Sequence, residues 1–217
     1  MTGQEFTAGL DLGQAKDYSA LVIAEKLQVP HVTTYEDKWH RPKERVEWHP
    51  GYDVLSIHRW PLETRYTQVV DDVAAALHER PYRNNTMLYF DKTGDGRGVA
   101  DIIGQAYRDY RLDRVEGITM TSGRESKGSH VTKRDLVTRA LVLLEQERLR
   151  FAKTKELDVL TRELEGYKMK INEAGHDSYE AETEAIHDDT IMALCLAVWN
   201  DQPFGRIIDL DDSEDRK

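Results

Sequence analysis

The sequence predicts an α/β domain in which helices flank a mixed central sheet. Three observations predict this fold class. The 217 residues, 39% of them hydrophobic and 32% charged, are enough for one domain with a sizeable core. Short apolar runs bounded by turn residues alternate with segments of helical spacing, in the order β-β-β-α-β-α-β-α. Aspartates stand at the ends of several elements, and open α/β sheets place their chemistry at the carboxyl ends of strands.

The first two predicted strands form a hairpin. Residues 7–13 are a short apolar run bounded by glycines, and residues 19–24 are a second run rich in Val, Ile and Leu. Asp11 lies inside the first run, followed beyond the turn by Asp17, which we predict to be structural. An ionised carboxylate removed from water needs a cation, hydrogen-bond donors or a raised pKa. Taken alone, a backbone-bonded turn residue is the simpler interpretation of Asp11.

The middle of the chain adds strands and helices in turn. Residues 35–52 are polar, with Trp39 and Trp48, and fit either a loop or part of a substrate surface. A strand at residues 53–60 and a helix at residues 66–77 follow, and then a strand at residues 86–90 and a helix at residues 99–110. The second of these strands ends at Asp91, directly before a Gly-rich turn.

In the second half of the chain, strands are predicted at residues 115–120, 149–151 and 167–171. Helices are predicted at residues 136–144 and, with many charges, at 154–165, and a polar loop at residues 172–184. Thr132 and Asp135 are available to cap the helix at 136–144. Asp188 and Asp189 open a final helix, which is apolar on nearly every face and therefore buried. Acids in a first helical turn suit the helix dipole, so capping alone could explain this pair.

We expect one domain over residues 1–205 and an acidic, disordered tail over residues 206–217. The longest apolar run, residues 191–199, is too short to cross a bilayer, and the N-terminus lacks the features of a signal peptide. The single cysteine, Cys195, lies in that run and is predicted to be a reduced core residue.

The net charge of −10 argues at first against a nucleic-acid partner. Residues 124–155, however, hold nine Lys and Arg against four Asp and Glu, a local charge of +5. Such a stripe fits a phosphate track or a solvated helix face equally well. If it contacts DNA, the candidate residues are Lys127, Lys133, Arg134 and Arg139.

The aspartates at element ends suggest a metal site. If the strands of Asp11 and Asp91 are neighbours and the last helix packs across them, both residues meet Asp188 and Asp189. Hard divalent cations such as Mg²⁺ prefer carboxylate oxygens. Two of them held about 3.5 to 4 Å apart can activate a water and stabilise a leaving oxygen at a phosphodiester.

Four motifs in the chain resemble, in order and over roughly residues 6–200, the nuclease domain of tailed-phage terminase large subunits. Each motif is weak alone, and the ordered set is specific. They are Gly9-x-Asp11-x-Gly13-x-x-x-Asp17, Asp91-x-Thr93-Gly94-x-Gly96-x-Gly98-Val99-x-Asp101, Lys133-x-Asp135-Leu136-Val137 and His187-x-Asp189-x-x-x-Ala193-Leu194-x-Leu196-Ala197.

The resemblance implies a ribonuclease H-like fold, with a small β-hairpin/helix insertion before the last helix. It implies an endonuclease that cuts concatemeric phage DNA and needs Mg²⁺ or Mn²⁺, with two ions expected. By position, Asp11, Asp91 and Asp189 match the catalytic and metal-binding acids. Asp188 is expected to share the metal site, and His187 is a possible accessory residue.

The family also implies partners: double-stranded DNA, a terminase ATPase domain, a small terminase subunit and a portal, in the cytoplasm of an infected bacterial host. Family members normally carry an ATPase domain before the nuclease. This chain has no Gly-x-x-x-x-Gly-Lys-Ser/Thr phosphate loop. We therefore expect an excised domain or a separately encoded nuclease, with no membrane role.

Other interpretations stay open at this point. A Holliday-junction resolvase resembles the same core. The actin-like kinase and ATPase superfamily resembles the same fold but needs two such domains. A non-catalytic DNA-docking or motor-docking module would use the acids only as caps and turns. A dinucleotide site is disfavoured because Gly94-x-Gly96-x-Gly98 lacks the required spacing. A calcium loop fails because its twelfth position is Ile102 instead of Glu.

Overall fold

The computed structural model of the chain describes residues 5–13, 17–93, 101–106, 114–123, 125–171, 177–181, 187–199 and 207–209. Its strands are β1 Glu5–Asp11, β2 Ala20–Glu36, β3 Pro42–Arg59, β4 Thr86–Asp91, β5 Val115–Thr121, β6 His130–Thr132, β7 Leu149–Phe151, β8 Tyr167–Ile171, β9 Asp177–Ala181 and β10 Ile207–Asp209. Its helices are α1 Tyr66–His78, α2 at residues 101–106, α3 Lys133–Glu145, α4 Leu157–Gly166 and α5 Asp189–Ala197.

Eight of the described strands form one mixed sheet. Its order is β10-β3-β2-β1-β4-β5-β6, with β7 pairing to β3. Strand β2 is antiparallel to both β1 and β3, whereas β4 is parallel to β1 and β5 is parallel to β4. The predicted order of elements and the mixed α/β fold class are thus confirmed, with β6, β9 and β10 as additions.

The predicted first hairpin is present, with Asp11 paired to Ala20 in antiparallel register. The second hairpin is much longer than expected, because β2 and β3 stay paired as far as Glu36 and Pro42. Its turn is closed by Asp37, whose Oδ1 accepts hydrogen bonds from the amides of Trp39 and Arg41 at 2.8 and 3.0 Å. Residues 35–52, undecided from the sequence, are therefore mostly strand.

The sheet is covered on both faces. One core cluster joins Ala8 and Leu10 of β1 to the buried faces of α1 and α2, and the other joins the sheet to α3, α4 and α5. All residues of α5 are buried, as its apolar sequence predicts, and they include the free Cys195. None of the described helices is long and apolar enough to cross a membrane.

The sequence predicted the cap of α3 correctly, but it predicted the strands in the last part of the chain less well. Thr132 caps α3 by accepting a hydrogen bond from the Asp135 amide at 3.0 Å, as predicted. The loop prediction for residues 172–184 is wrong at Asp177–Ala181, which pair with β8 and form the hairpin expected before the last helix. Residues 207–209 pair with β3, so the sheet extends beyond residue 205 into the expected tail. The polar sequence of β9 and the three-residue length of β10 give weak local signals, so both strands are recognised through their partner strands.

Candidate metal centre

Asp11 and Asp91 stand side by side at the carboxyl edge of the sheet. The parallel register of β1 and β4 pairs Leu10 with Phe90, and the two aspartates directly follow this pair. Both residues are partly buried. The convergence that the sequence predicted for these two strands is confirmed.

The Asp91 side chain is held by the turn that follows it. Its Oδ1 accepts hydrogen bonds from the amide and the hydroxyl of Thr93, at 2.7 and 2.5 Å. The same hydroxyl accepts a hydrogen bond from the Met120 amide at 2.8 Å. A short chain of hydrogen bonds thus ties the carboxylate of β4 to the neighbouring strand β5.

The last helix reaches this edge because Gly9 lets it lie directly on β1. A β-carbon at Gly9 would stand 2.0 Å from the Ala193 carbonyl oxygen and 2.3 Å from the Ala197 nitrogen. Close backbone approach of this kind requires glycine. The first turn of α5, with Asp188 and Asp189, is thereby brought to the end of β1 where Asp11 lies.

Asp189 is almost completely buried, with 4% of its surface exposed. Within the described part of the chain, its Oδ2 has no hydrogen-bond partner. Asp188 occupies the N-cap position, but its side chain bonds instead to Lys133, with 2.7 Å between Oδ2 and Nζ. Simple capping therefore does not account for either aspartate.

Electrostatics show that these carboxylates share one environment. Burial raises the pKa of Asp11 well above its ordinary value, and the charges of Asp91, Asp189 and Asp188 raise it further. The charge of Lys133 acts in the opposite direction. Burial also raises the pKa of Asp189 to about 7, helped by the charges of Glu163, Asp188 and Asp17.

These observations fit a divalent cation. Several carboxylates repel one another across a small space, and one buried oxygen lacks a donor. A cation relieves both costs. Among the described residues, however, no three His, Cys, Asp or Glu side chains already close around a point where an ion could sit. Asp11, Asp91, Asp188 and Asp189 are the residues that could hold one.

The sequence did not reveal Glu163, a buried glutamate of α4. Its Oε2 accepts hydrogen bonds from the amides of Thr190 and Ile191, at 2.9 and 3.3 Å, and from the Thr190 hydroxyl at 2.5 Å. The available signal was a glutamate three residues after Leu160, on the apolar side of a charged helix. A surface helix with many charges does not single out such a residue.

His187 lies beside the carboxylates, as its position before α5 suggested. Its Nδ1 is 3.8 Å from Oδ1 of Asp17 and 3.9 Å from Oδ2 of Asp189. The ring also meets Tyr18 edge-on, with centroids 4.9 Å apart, and Arg59 lies 4.0 Å over the Tyr18 ring. Asp17, predicted to be structural, therefore lies closer to the site than expected.

The four basic residues proposed for DNA contact have different surroundings. Lys133 reaches the carboxylates, and Lys127 is exposed on the loop before β6. Arg134 lies 3.7 Å from Asp135, and Nε of Arg139 donates to the Val198 carbonyl at 2.8 Å. Lys133 thus contacts the site through Asp188, and the DNA role of all four residues stays a prediction.

Two regions named in the sequence analysis lie elsewhere. Trp39 is at the tip of the β2–β3 hairpin and is 63% exposed. Because β2 runs from Ala20, beside Asp11, out to Glu36, this tip is roughly 50 Å from the site along the strand. Trp48 pairs with Pro30 within the same hairpin. The Gly-rich turn at 94–98 lies outside the described residues.

Comparisons with known proteins agree with this fold. The family model described as the terminase RNaseH-like domain matches residues 8–200. The crystal structure of the large terminase nuclease from thermophilic phage G20c is similar, with a TM-score of 0.59 and 16% identity, covering 91% of this chain and 82% of that chain. The Mn-soaked terminase nuclease domain of human cytomegalovirus is also similar, with a TM-score of 0.51 and 13% identity, covering 90% of this chain and 82% of that chain.

At these identities the two structures support the fold alone, and no curated protein sequence gives a significant match. The family match does not depend on them, because it spans nearly all of the strands and helices described above. The chain therefore belongs to the terminase RNaseH-like domain family.

Proposed function

We propose that the chain is a divalent-metal-dependent DNA endonuclease that cuts phage DNA during genome packaging. The observation that carries this proposal is the meeting of Asp11, Asp91 and Asp189 at one edge of the sheet, where a buried oxygen of Asp189 has no donor among the described residues. Family membership supports the nuclease role. The Mn-soaked structure of a family neighbour is in line with the use of a divalent cation.

Each residue has a defined task in this proposal. The carboxylates of Asp11, Asp91 and Asp189 would hold the ions, two being expected, with Asp188 as a further ligand. When bound, such ions supply an activated water and stabilise the leaving oxygen of a phosphodiester. The Thr93 hydrogen bonds orient Asp91 beforehand. Lys133 offsets part of the negative charge while it holds Asp188.

Lys133 would also meet a DNA phosphate, and its contact with Asp188 supports this role. Lys127, Arg134 and Arg139 are retained in the proposal as weaker candidates for DNA contact. The ATPase domain, the small terminase subunit and the portal are proposed as partners on the basis of the family. They would provide the affinity for DNA that an acidic chain lacks.

The proposal is tested by plasmid cleavage with Mn²⁺, Mg²⁺ or EDTA. We expect cleavage with either cation, none with EDTA, and a fall to the EDTA level for Asp91→Asn. Asp71→Asn is the matched control, because Asp71 is exposed on α1, on the opposite face of the sheet from α5.

If Asp91→Asn cuts as well as the parent, the assignment of the site is wrong. A parent chain that is inactive with both cations would favour a non-catalytic docking module. A four-way junction is included beside linear duplex. Strong preference for the junction would favour a resolvase-like substrate over packaged duplex DNA.

A further inference from the structure

Glu163 is the one buried glutamate among the described residues, with 4% of its surface exposed, and it is not a ligand of the proposed metal site. One of its oxygens, Oε2, serves three donors in the first turn of α5, the amides of Thr190 and Ile191 and the Thr190 hydroxyl. These donors immediately follow Asp189 in the chain. Glu163 therefore holds the turn from which Asp189 projects.

A carboxylate at this position is electrostatically costly. Burial raises the pKa of Glu163, and the hydrogen bonds from α5 and the charge of Arg59 only partly offset this effect. Arg59 is 3.4 Å away, measured from its Nη1 to Oε1 of Glu163. The N-terminal end of a helix favours a negative charge, but a neutral oxygen can accept the same hydrogen bonds at a lower desolvation cost.

The negative charge of Glu163 also acts on its neighbour. Its carboxylate lies against the turn that carries Asp189, since Oε2 bonds to the two residues that follow Asp189. A negative charge this close to the site attracts a divalent cation held there. The carboxylate thus has an effect at the metal site that a neutral cap would not have.

We propose that Glu163 is a positioning residue for the metal site, which fixes the first turn of α5 and adds a negative charge behind Asp189 that strengthens cation binding. This inference rests on the proposed function. It assigns to α4 a role in metal affinity, although α4 contributes no ligand. Residues that orient metal ligands typically change metal affinity about 10- to 100-fold when they are replaced.

The test separates the charge from the hydrogen bonds. Glu163→Gln keeps an oxygen that can accept from the amides of α5 and removes the charge. Titration calorimetry measures Mn²⁺ binding to the whole metal-free chain, above the pKa of about 7 of Asp189. We expect Glu163→Gln to bind Mn²⁺ about tenfold more weakly than the parent. Glu165→Gln, an exposed residue of the same helix, should match the parent.

Circular dichroism and urea unfolding establish that each variant is folded. If Glu163→Gln does not fold, Thr190→Val provides the test, because it removes only the hydroxyl donor to Glu163. It should weaken Mn²⁺ binding in the same direction and by a smaller factor. The inference is overturned if folded Glu163→Gln binds Mn²⁺ with the affinity of the parent. If Glu163→Gln is unfolded, it is overturned when Thr190→Val binds Mn²⁺ with the affinity of the parent. A parent chain that binds no Mn²⁺ removes the proposed function as well.

Discussion

Asp11 and Asp189 acquire unusual proton affinities from burial and from neighbouring carboxylates. Both carboxyl groups have raised pKa values, about 7 for Asp189, against an ordinary value of 3.8. Their folded forms therefore bind protons more tightly than their unfolded forms. The resulting stabilisation is complete below about pH 4 and is lost as the pH rises toward the folded pKa. A divalent cation can replace these protons above that range.

We predict that, without divalent cations, the parent loses more stability between about pH 4 and 7 than Asp189→Asn, which cannot titrate at this position. At neutral pH, cation at 100 times its Kd should stabilise the parent by about 2.7 kcal/mol, which corresponds to a rise of about 5–10 °C in Tm. Thermal unfolding followed by circular dichroism measures both effects. If the stability of the parent and of Asp189→Asn changes equally with pH, Asp189 does not titrate as described.

The helix α5 and the hairpin of β2 and β3 are the elements with the most distinctive roles. The helix has no exposed face, and its first turn carries two acids, so its position on β1 determines the geometry of the site. That position depends on Gly9, where the backbones are in direct contact. The hairpin, in contrast, extends away from the site and ends in the exposed Trp39, which has Lys38 and Arg41 against its ring.

We predict that Gly9→Ala destabilises the chain by about 1–3 kcal/mol or more, the usual cost of overpacking a core. The added methyl group must move α5 away from β1, so cleavage should fall together with stability. Urea unfolding gives the free energy, and plasmid cleavage gives the activity. Gly123→Ala is the control, since its nearest contact would be an ordinary 3.5 Å. Parental stability for Gly9→Ala would contradict the packing of α5 on β1.

At the scale of the whole molecule, charge is distributed unfavourably for DNA binding. The net charge is −10, and the metal site itself is acidic. Several bases in the stripe at 124–155 have internal partners. Arg139 donates to Val198, Arg148 donates to the Pro50 carbonyl, and Arg150 forms a bidentate pair with Asp53 at 2.6 and 2.9 Å. These three arginines are therefore less available to DNA phosphates.

We predict weak duplex binding by the isolated chain, with an affinity that falls steeply as salt rises, by a logarithmic slope of about −0.9 for each phosphate contacted. Fluorescence anisotropy over a salt series measures this slope. Lys127→Ala should reduce its magnitude by about 1 if Lys127 contacts a phosphate. Arg150→Ala, whose side chain is paired with Asp53, should leave it unchanged. Tight binding with a shallow slope would contradict the prediction.

The sequence alone determined the order of most elements, the fold class and the aspartates that meet, because these depend on local periodicity and on acids at strand ends. It also supplied the cap of α3, whose donor and acceptor are three residues apart. Only the tertiary structure revealed the contacts of Glu163, of Asp17 and of the basic residues. Their partners lie far away in the chain, such as Thr190 for Glu163 and Val198 for Arg139. The strands β9 and β10 also needed the structure, because β9 is polar, β10 has only three residues, and each is defined by the strand beside it.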